Sequence, residues 1–209
     1  MKPRIARLQV LVRTLAASGA AAFLLGVHGI PAAWPSAAAA GGPQQGPFPV
    51  ETAKAEQAMN ELQQALLAKL KTTMESGGPA AAVEVCRTEA RTIAAAVAKR
   101  EGIDLGRTSH RVRNPANAPR PWARAIVEGG AGVKAAAERI RVVDLGERVG
   151  VLRPIGTVEM CMRCHGPADV VRRSLGDALA KVYPQDRATG FSPGDLRGWM
   201  WAEVPKSAK

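Results

Sequence analysis

Asp104-Leu105-Gly106-Arg107-Thr108-Ser109-His110-Arg111-Val112-Arg113-Asn114-Pro115-Ala116-Asn117-Ala118-Pro119-Arg120-Pro121 divides the chain into two kinds of sequence. Inside it, Leu105 to Arg113 alternates as a strand does: Thr108, His110 and Val112 fall on one face and Arg107, Arg111 and Arg113 on the other. The prolines at 115, 119 and 121 then exclude helix and predict a stiff loop. Upstream the period is helical. Ala55, Met59, Leu62, Leu66 and Leu70 recur every three or four residues and predict a helix over 51–75. Ser76-Gly77-Gly78-Pro79 stops it, and a second helix over 80–100 places Ala82, Cys86, Ala90, Ile93 and Val97 on one stripe before Gly102 ends it. Downstream come a short helix over 122–128, strands over 138–144 and 148–155, a helix over 169–181 and a last strand over 196–204. This order predicts an α+β domain with a mostly antiparallel sheet.

The N-terminus reads differently. Lys2, Arg4, Arg7 and Arg13 form a basic region without acids, an apolar run from Leu15 to Val27 follows, and Ala38 and Ala40 fit a small-residue cleavage site. Residues 1–40 are therefore expected to be a cleavable signal peptide, with an uncleaved anchor as the alternative. The expectation is an exported, periplasmic protein. Residues 41–50 read as a Gly/Pro linker and 51–209 as one domain. Of 29 basic and 18 acidic residues, the signal segment removes four bases and no acid. The remaining excess of seven positive charges suits an acidic protein partner or peripheral contact with an anionic membrane better than nucleic acid, which an exported protein does not meet.

Cys161-Met162-Arg163-Cys164-His165 is the C-x-x-C-H pattern of c-type haem attachment. Two intervening residues let one helical turn bring both thiols to the two vinyl groups of a haem, and the adjacent imidazole is delivered to the iron. Export supports this, because attachment of this cofactor takes place outside the cytoplasm. Two other readings compete. A dithiol redox motif would start a helix behind a strand in a βαβ unit, and no such unit is evident. A zinc site would need a fourth donor, with only Cys86 or His110 to supply it. One motif predicts one covalent haem c, with Cys161 and Cys164 as attachment points and His165 as an iron ligand. The opposite ligand stays open on these grounds: Cys86, His110, a methionine or no side chain at all.

Several further runs accompany the motif: Ala82-Val83-Glu84-Val85-Cys86; Gly106-Arg107-Thr108-Ser109; Arg113-Asn114-Pro115-Ala116-Asn117-Ala118-Pro119; Pro154-Ile155; and Tyr183-Pro184, Asp186, Ala188-Thr189-Gly190, Gly194-Asp195 and Arg197-Gly198. Together they resemble the c-type haem family of exported PAS-like domains over residues 51–205. The resemblance implies a PAS-like antiparallel sheet with N-terminal and flanking helices. It also implies an axial pair of His165 and the thiolate of Cys86, which would account for the odd third cysteine. His110 is then a pocket residue. Arg107, Arg111 and Arg113 are expected to include partners for the haem propionates.

Three function classes follow. A low-potential electron carrier serves a redox partner. A redox or gas sensor signals to a separate receiver. An enzyme at an open iron site is the weakest, since only His110 is offered as a distal acid–base group.

Overall fold

The computed structural model describes residues 46–207. The expected signal peptide, residues 1–40, and the first half of the linker lie outside the described residues. Helix α1, Pro49–Glu101, is broken at Gly78, whose φ of 72° and ψ of −175° are not helical. Pro79 follows directly, removing an amide donor and disfavouring helical geometry in the residue before it. The result is the two helical segments that the sequence predicts. Gly102 closes the second with φ 64°, a left-handed conformation in which its N–H reaches the Ala98 carbonyl.

Four strands follow: β1 Asp104–Thr108, β2 Arg141–Asp144, β3 Arg148–Gly156 and β4 Leu196–Pro205. They pair antiparallel throughout, in the order β1-β4-β3-β2. The short helices α2 (Arg124–Gly129), α3 (Met162–His165), α4 (Ala168–Leu175) and α5 (Ala178–Val182) lie between the strands in the chain. The fold is the α+β class expected, with a PAS-like antiparallel sheet.

Both faces of the sheet are covered. On one, Val149, Val151, Met200, Ala202 and Val204 pack against Ala55, Ala58, Met59, Leu62 and Val97 of α1. Each fully buried Met or Leu there contributes roughly 1.5–3 kcal/mol. On the other, Leu152 and Trp199 meet Ala123, Val127 and Leu196. Cover on both faces explains why β4, the central strand, reads as a nearly continuous buried run instead of an alternating one.

Several boundaries differ from expectation: β2 starts at Arg141 instead of residue 138, after a 3₁₀ turn at Ala135–Ala137, and the helix expected over 122–128 begins as a 3₁₀ turn at Pro121–Ala123. β1 ends at Thr108 instead of Arg113, because the Ser109 hydroxyl donates to the Arg197 carbonyl (2.7 Å) and accepts the Arg111 N–H (3.0 Å), turning the chain out of the sheet. Arg111 and Arg113 are therefore loop residues, and only Arg107 is on the strand. The helix expected over 169–181 is divided into α4 and α5 at Gly176, whose positive φ of 52° a helix does not accommodate.

Candidate functional site

β3 ends at Gly156, next to a register shift against β4, and the chain turns at Thr157, whose hydroxyl donates to the Ser192 carbonyl (2.6 Å). This delivers the segment 159–165 to the end of the sheet. A 3₁₀ turn, Glu159–Cys161, runs into α3, so Cys161 and Cys164 sit three residues apart on one turn with His165 following. Both thiols are partly exposed. Gly166 is required for close approach: a Cβ there would lie 2.6 Å from the Met162 carbonyl oxygen.

The segment Asp186–Phe191 clamps this turn. Gly190 N–H donates to Gly166 O (2.7 Å) and Phe191 N–H to His165 O (2.9 Å). The His165 ring lies with Nδ1 2.8 Å from the Ala188 carbonyl. A carbonyl only accepts, so Nδ1 carries the proton and Nε2 keeps its lone pair. Arg197 Nε is also 3.3 Å from Nδ1, but two N–H groups cannot bond one another, and the shorter carbonyl contact decides the tautomer. Burial, reinforced by Arg197 and Arg113, holds the His165 pKa well below its ordinary 6.5, so the ring is neutral at pH 7. A neutral imidazole with its second nitrogen oriented by a carbonyl is the form that ligates a metal.

Arg113 secures the clamp. It donates to both oxygens of Asp186 (3.2 and 3.1 Å), to Cys164 O (2.5 Å) and to Ala188 O (3.3 Å). Asp186 in turn accepts the Ala188 N–H at 2.8 Å. Arg113 was expected as a candidate for binding haem propionates; its guanidinium is instead committed to the backbone and carboxylate that hold Cys164 and His165. Arg111 donates to Thr189 O (2.8 Å) and lies 3.8 Å above the Phe191 ring. Arg107 is half-buried and, among the described residues, has no carboxylate or hydrogen-bond partner.

Arg197 was not among the residues singled out as site candidates, although Arg197-Gly198 belongs to the runs that carry the resemblance. It is brought into this cluster by pairing of β4 with β3 and donates to the Arg111 carbonyl (3.2 Å). Burial, with Arg113, Arg107 and Arg111 adding to it against the opposing Asp186, pushes its pKa down to about 9. A guanidinium stays charged in proteins. Arg107, Arg111, Arg113 and Arg197 thus cluster with Asp186 paired to Arg113 and Asp195 facing Arg111, an excess of positive charge.

Cys86 is the other departure. It was expected on a buried stripe, and its neighbours Ala82, Ala90 and Val97 are buried, but Cys86 is exposed. Its helical segment nevertheless reaches the attachment turn. Val83, one turn earlier, packs in a cluster with Val171, Leu175, Leu179 and Tyr183, against which Cys164 rests. Burial raises the Cys164 pKa and Arg113 lowers it. Cys86 bears on Arg107 and Tyr183. His110 packs edge-on to Phe191 at 6.0 Å, the ring that His165 meets at 6.3 Å, and its buried Nδ1 has no partner.

The competing readings of the motif fit poorly. The strand following Cys164, β4, is antiparallel to β3, so no βαβ unit surrounds the dithiol. Among the described residues no three His, Cys, Asp or Glu side chains converge as a metal site of their own. Cys161, Cys164 and His165 instead follow one another along a single turn beside a basic cluster.

A family model described as Tll0287-like matches residues 50–205. The chain belongs to the Tll0287-like family. A solved structure described as that of the cyanobacterial heme-protein Tll0287 is 26% identical, covers 75% of this chain and 96% of its own, and superposes with a TM-score of 0.57. No curated protein matches. For this Tll0287-like chain, the resemblance to a haem-domain family agrees with the comparisons at that level.

Proposed function

We propose that this chain is an exported haem c protein that transfers electrons at low potential in the periplasm. The observation that carries the reading is the oriented, neutral His165 ring directly after a turn bearing Cys161 and Cys164. These residues fit the group: two partly exposed thiols for thioether bonds, one imidazole nitrogen free to ligate, and uncompensated arginines for two propionates. Family membership and the solved heme-protein relative support it. Bound there, haem supplies a one-electron ferric/ferrous couple.

The chain's residues have separable roles in this reading. Cys161 and Cys164 hold the macrocycle, and His165 ligates iron through Nε2. Ala188, Asp186 and Arg113 orient His165, while Arg107, Arg111 and Arg197 balance negative charge. Cys86 is the second ligand. The resemblance implies that role, the packing of Val83 with Tyr183 beside Cys164 supports it, and His110 shares Phe191 with His165 and so belongs on the His165 side. A thiolate ligand from Cys86 would favour the ferric state and lower the potential below that of Met/His sites. The basic surface suits an acidic redox partner or peripheral membrane association.

A redox titration followed by optical and spin-resonance spectra tests this. The wild type gives a low-spin, thiolate-ligated ferric signal and a low potential. Cys86→Ala keeps its haem, loses the thiolate signal and titrates at a higher potential. Loss of the low-spin signal in His110→Ala, with Cys86→Ala unchanged, contradicts the assignment.

A further inference from the structure

A cavity of about 780 Å³ opens between the second segment of α1, strand β1 and the proline-rich loop 116–121. It adjoins the arginine cluster at Arg107 but is lined by none of Cys86, Cys161, Cys164 or His165. Its volume lies in the range of small-molecule sites. One wall is apolar and shallow, because Ala90, Ala94 and Ala98 present only methyl groups. Opposite, the Trp201 indole rests against Gly106, where a Cβ would come within 2.7 Å of the ring. The Arg120 guanidinium lies 5.1 Å from the Trp201 ring centroid, so this wall combines an aromatic ring with a cation.

The charge around them is one-sided. Arg120 and Arg148, both lining residues, are paired with Glu203 (2.8 Å) and Asp104 (2.9 Å). Arg91, Lys99 and Arg107 also line the cavity and have no carboxylate partner among the described residues. The Nε of Arg148 is buried without an acceptor. Arg148 is thus held by Asp104 and the Glu203 carbonyl and leaves the exposed cations to meet a ligand. Asp104 is the one acid on the wall, and Arg148 already holds it.

We propose that this cavity is a second, non-covalent binding site for a small organic anion with a flat apolar body, of the aromatic carboxylate class. The ring lies between the alanine wall and Trp201, and the carboxylate faces the unpaired cations. The site shares Arg107 with the arginine cluster and none of the candidate haem-holding residues, so occupancy changes the charge felt at that cluster.

Calorimetric titration of the purified holoprotein with benzoate, and with benzamide as its uncharged isostere, tests this. Saturable one-to-one binding of benzoate is expected, with benzamide about tenfold weaker or more, the effect of losing one well-placed charged contact. Ala94→Phe fills the cavity and abolishes binding. Arg91→Ala/Lys99→Ala, two exposed positions that leave folding intact, weakens benzoate about tenfold with an unchanged haem spectrum. The proposal is overturned if the wild-type holoprotein gives no benzoate heat, if benzamide binds equally, or if the double variant binds as wild type. Binding by a haem-free Cys161→Ser/Cys164→Ser protein but not by the holoprotein overturns it too. In that case the cavity belongs to the haem and the haem reading stands, whereas a colourless wild type would defeat the haem reading alone.

Discussion

Replacing Asp186 by Asn leaves the Arg113 guanidinium without its carboxylate at a site where the two side chains are only 12% and 9% exposed. At a solvated surface such a loss costs no more than about 1 kcal/mol. Here the remaining charge is stranded beside Arg197, Arg107 and Arg111, and removal of one partner from a buried pair costs roughly 3–5 kcal/mol. For a domain of this size each kcal/mol moves Tm by about 2–4 °C, so the expected fall is on the order of 10 °C. Urea midpoints of wild type, Asp186→Asn, Arg113→Met and the double variant measure it. The double variant should lose much less than the two single variants combined, because it leaves no charge stranded. Asp177→Asn, exposed and without an ion pair, is the control and should stay within about 0.5 kcal/mol. A loss below about 1 kcal/mol in Asp186→Asn, or strict additivity in the double variant, would refute the view of this pair as a buried clamp.

Other outcomes follow from the same geometry. Burial, then the charges of Arg111, Arg197 and Arg187, depress the His110 pKa. The unfolded state therefore takes up a proton below its ordinary 6.5 that the folded state refuses, and stability falls as pH drops below about 6.5, by at most about 1.4 kcal/mol per unit. His110→Phe should flatten the change in urea midpoint between pH 7 and 5.5; an unchanged slope counts against a buried neutral ring. Gly198→Ala puts a Cβ 2.3 Å from the Thr108 carbonyl, a backbone contact that cannot rotate away. It should destabilise by about 1–3 kcal/mol and lower the yield of holoprotein, and a wild-type melting curve would contradict it.

Much of this was legible in the sequence. Residues 51–75 and 80–100 carry periodic apolar stripes, and Gly78-Pro79 and Gly102 act through local backbone chemistry, so both helical segments and their ends were readable. The strands expected over 148–155 and 196–204 were readable to within a residue and the one over 138–144 only in its second half, which forms Arg141–Asp144. β1 was read too long, since its end depends on Ser109 bonding a carbonyl 88 residues away, a contact with no local sign. For the same reason the roles of Arg113 and Arg197 were out of reach: alternation placed Arg113 with Arg107 and Arg111 on one strand face, while the fold sends it to Asp186 and the Cys164 carbonyl. The thiol pair and His165 were legible because their spacing is the chemistry. Cys86 fitted the helical stripe, but the stripe predicts burial, and the helix instead leaves that position exposed.

The central claim is that Cys161 and Cys164 hold one haem covalently. The most direct measurement is the intact mass of the purified protein after denaturation in acid, which strips any haem held only by iron ligation. The account predicts a single species heavier than the processed polypeptide by one haem, and no such addition in Cys161→Ser/Cys164→Ser. A wild-type polypeptide that sheds all its haem in acid, or a double-serine variant that retains it, would contradict the account.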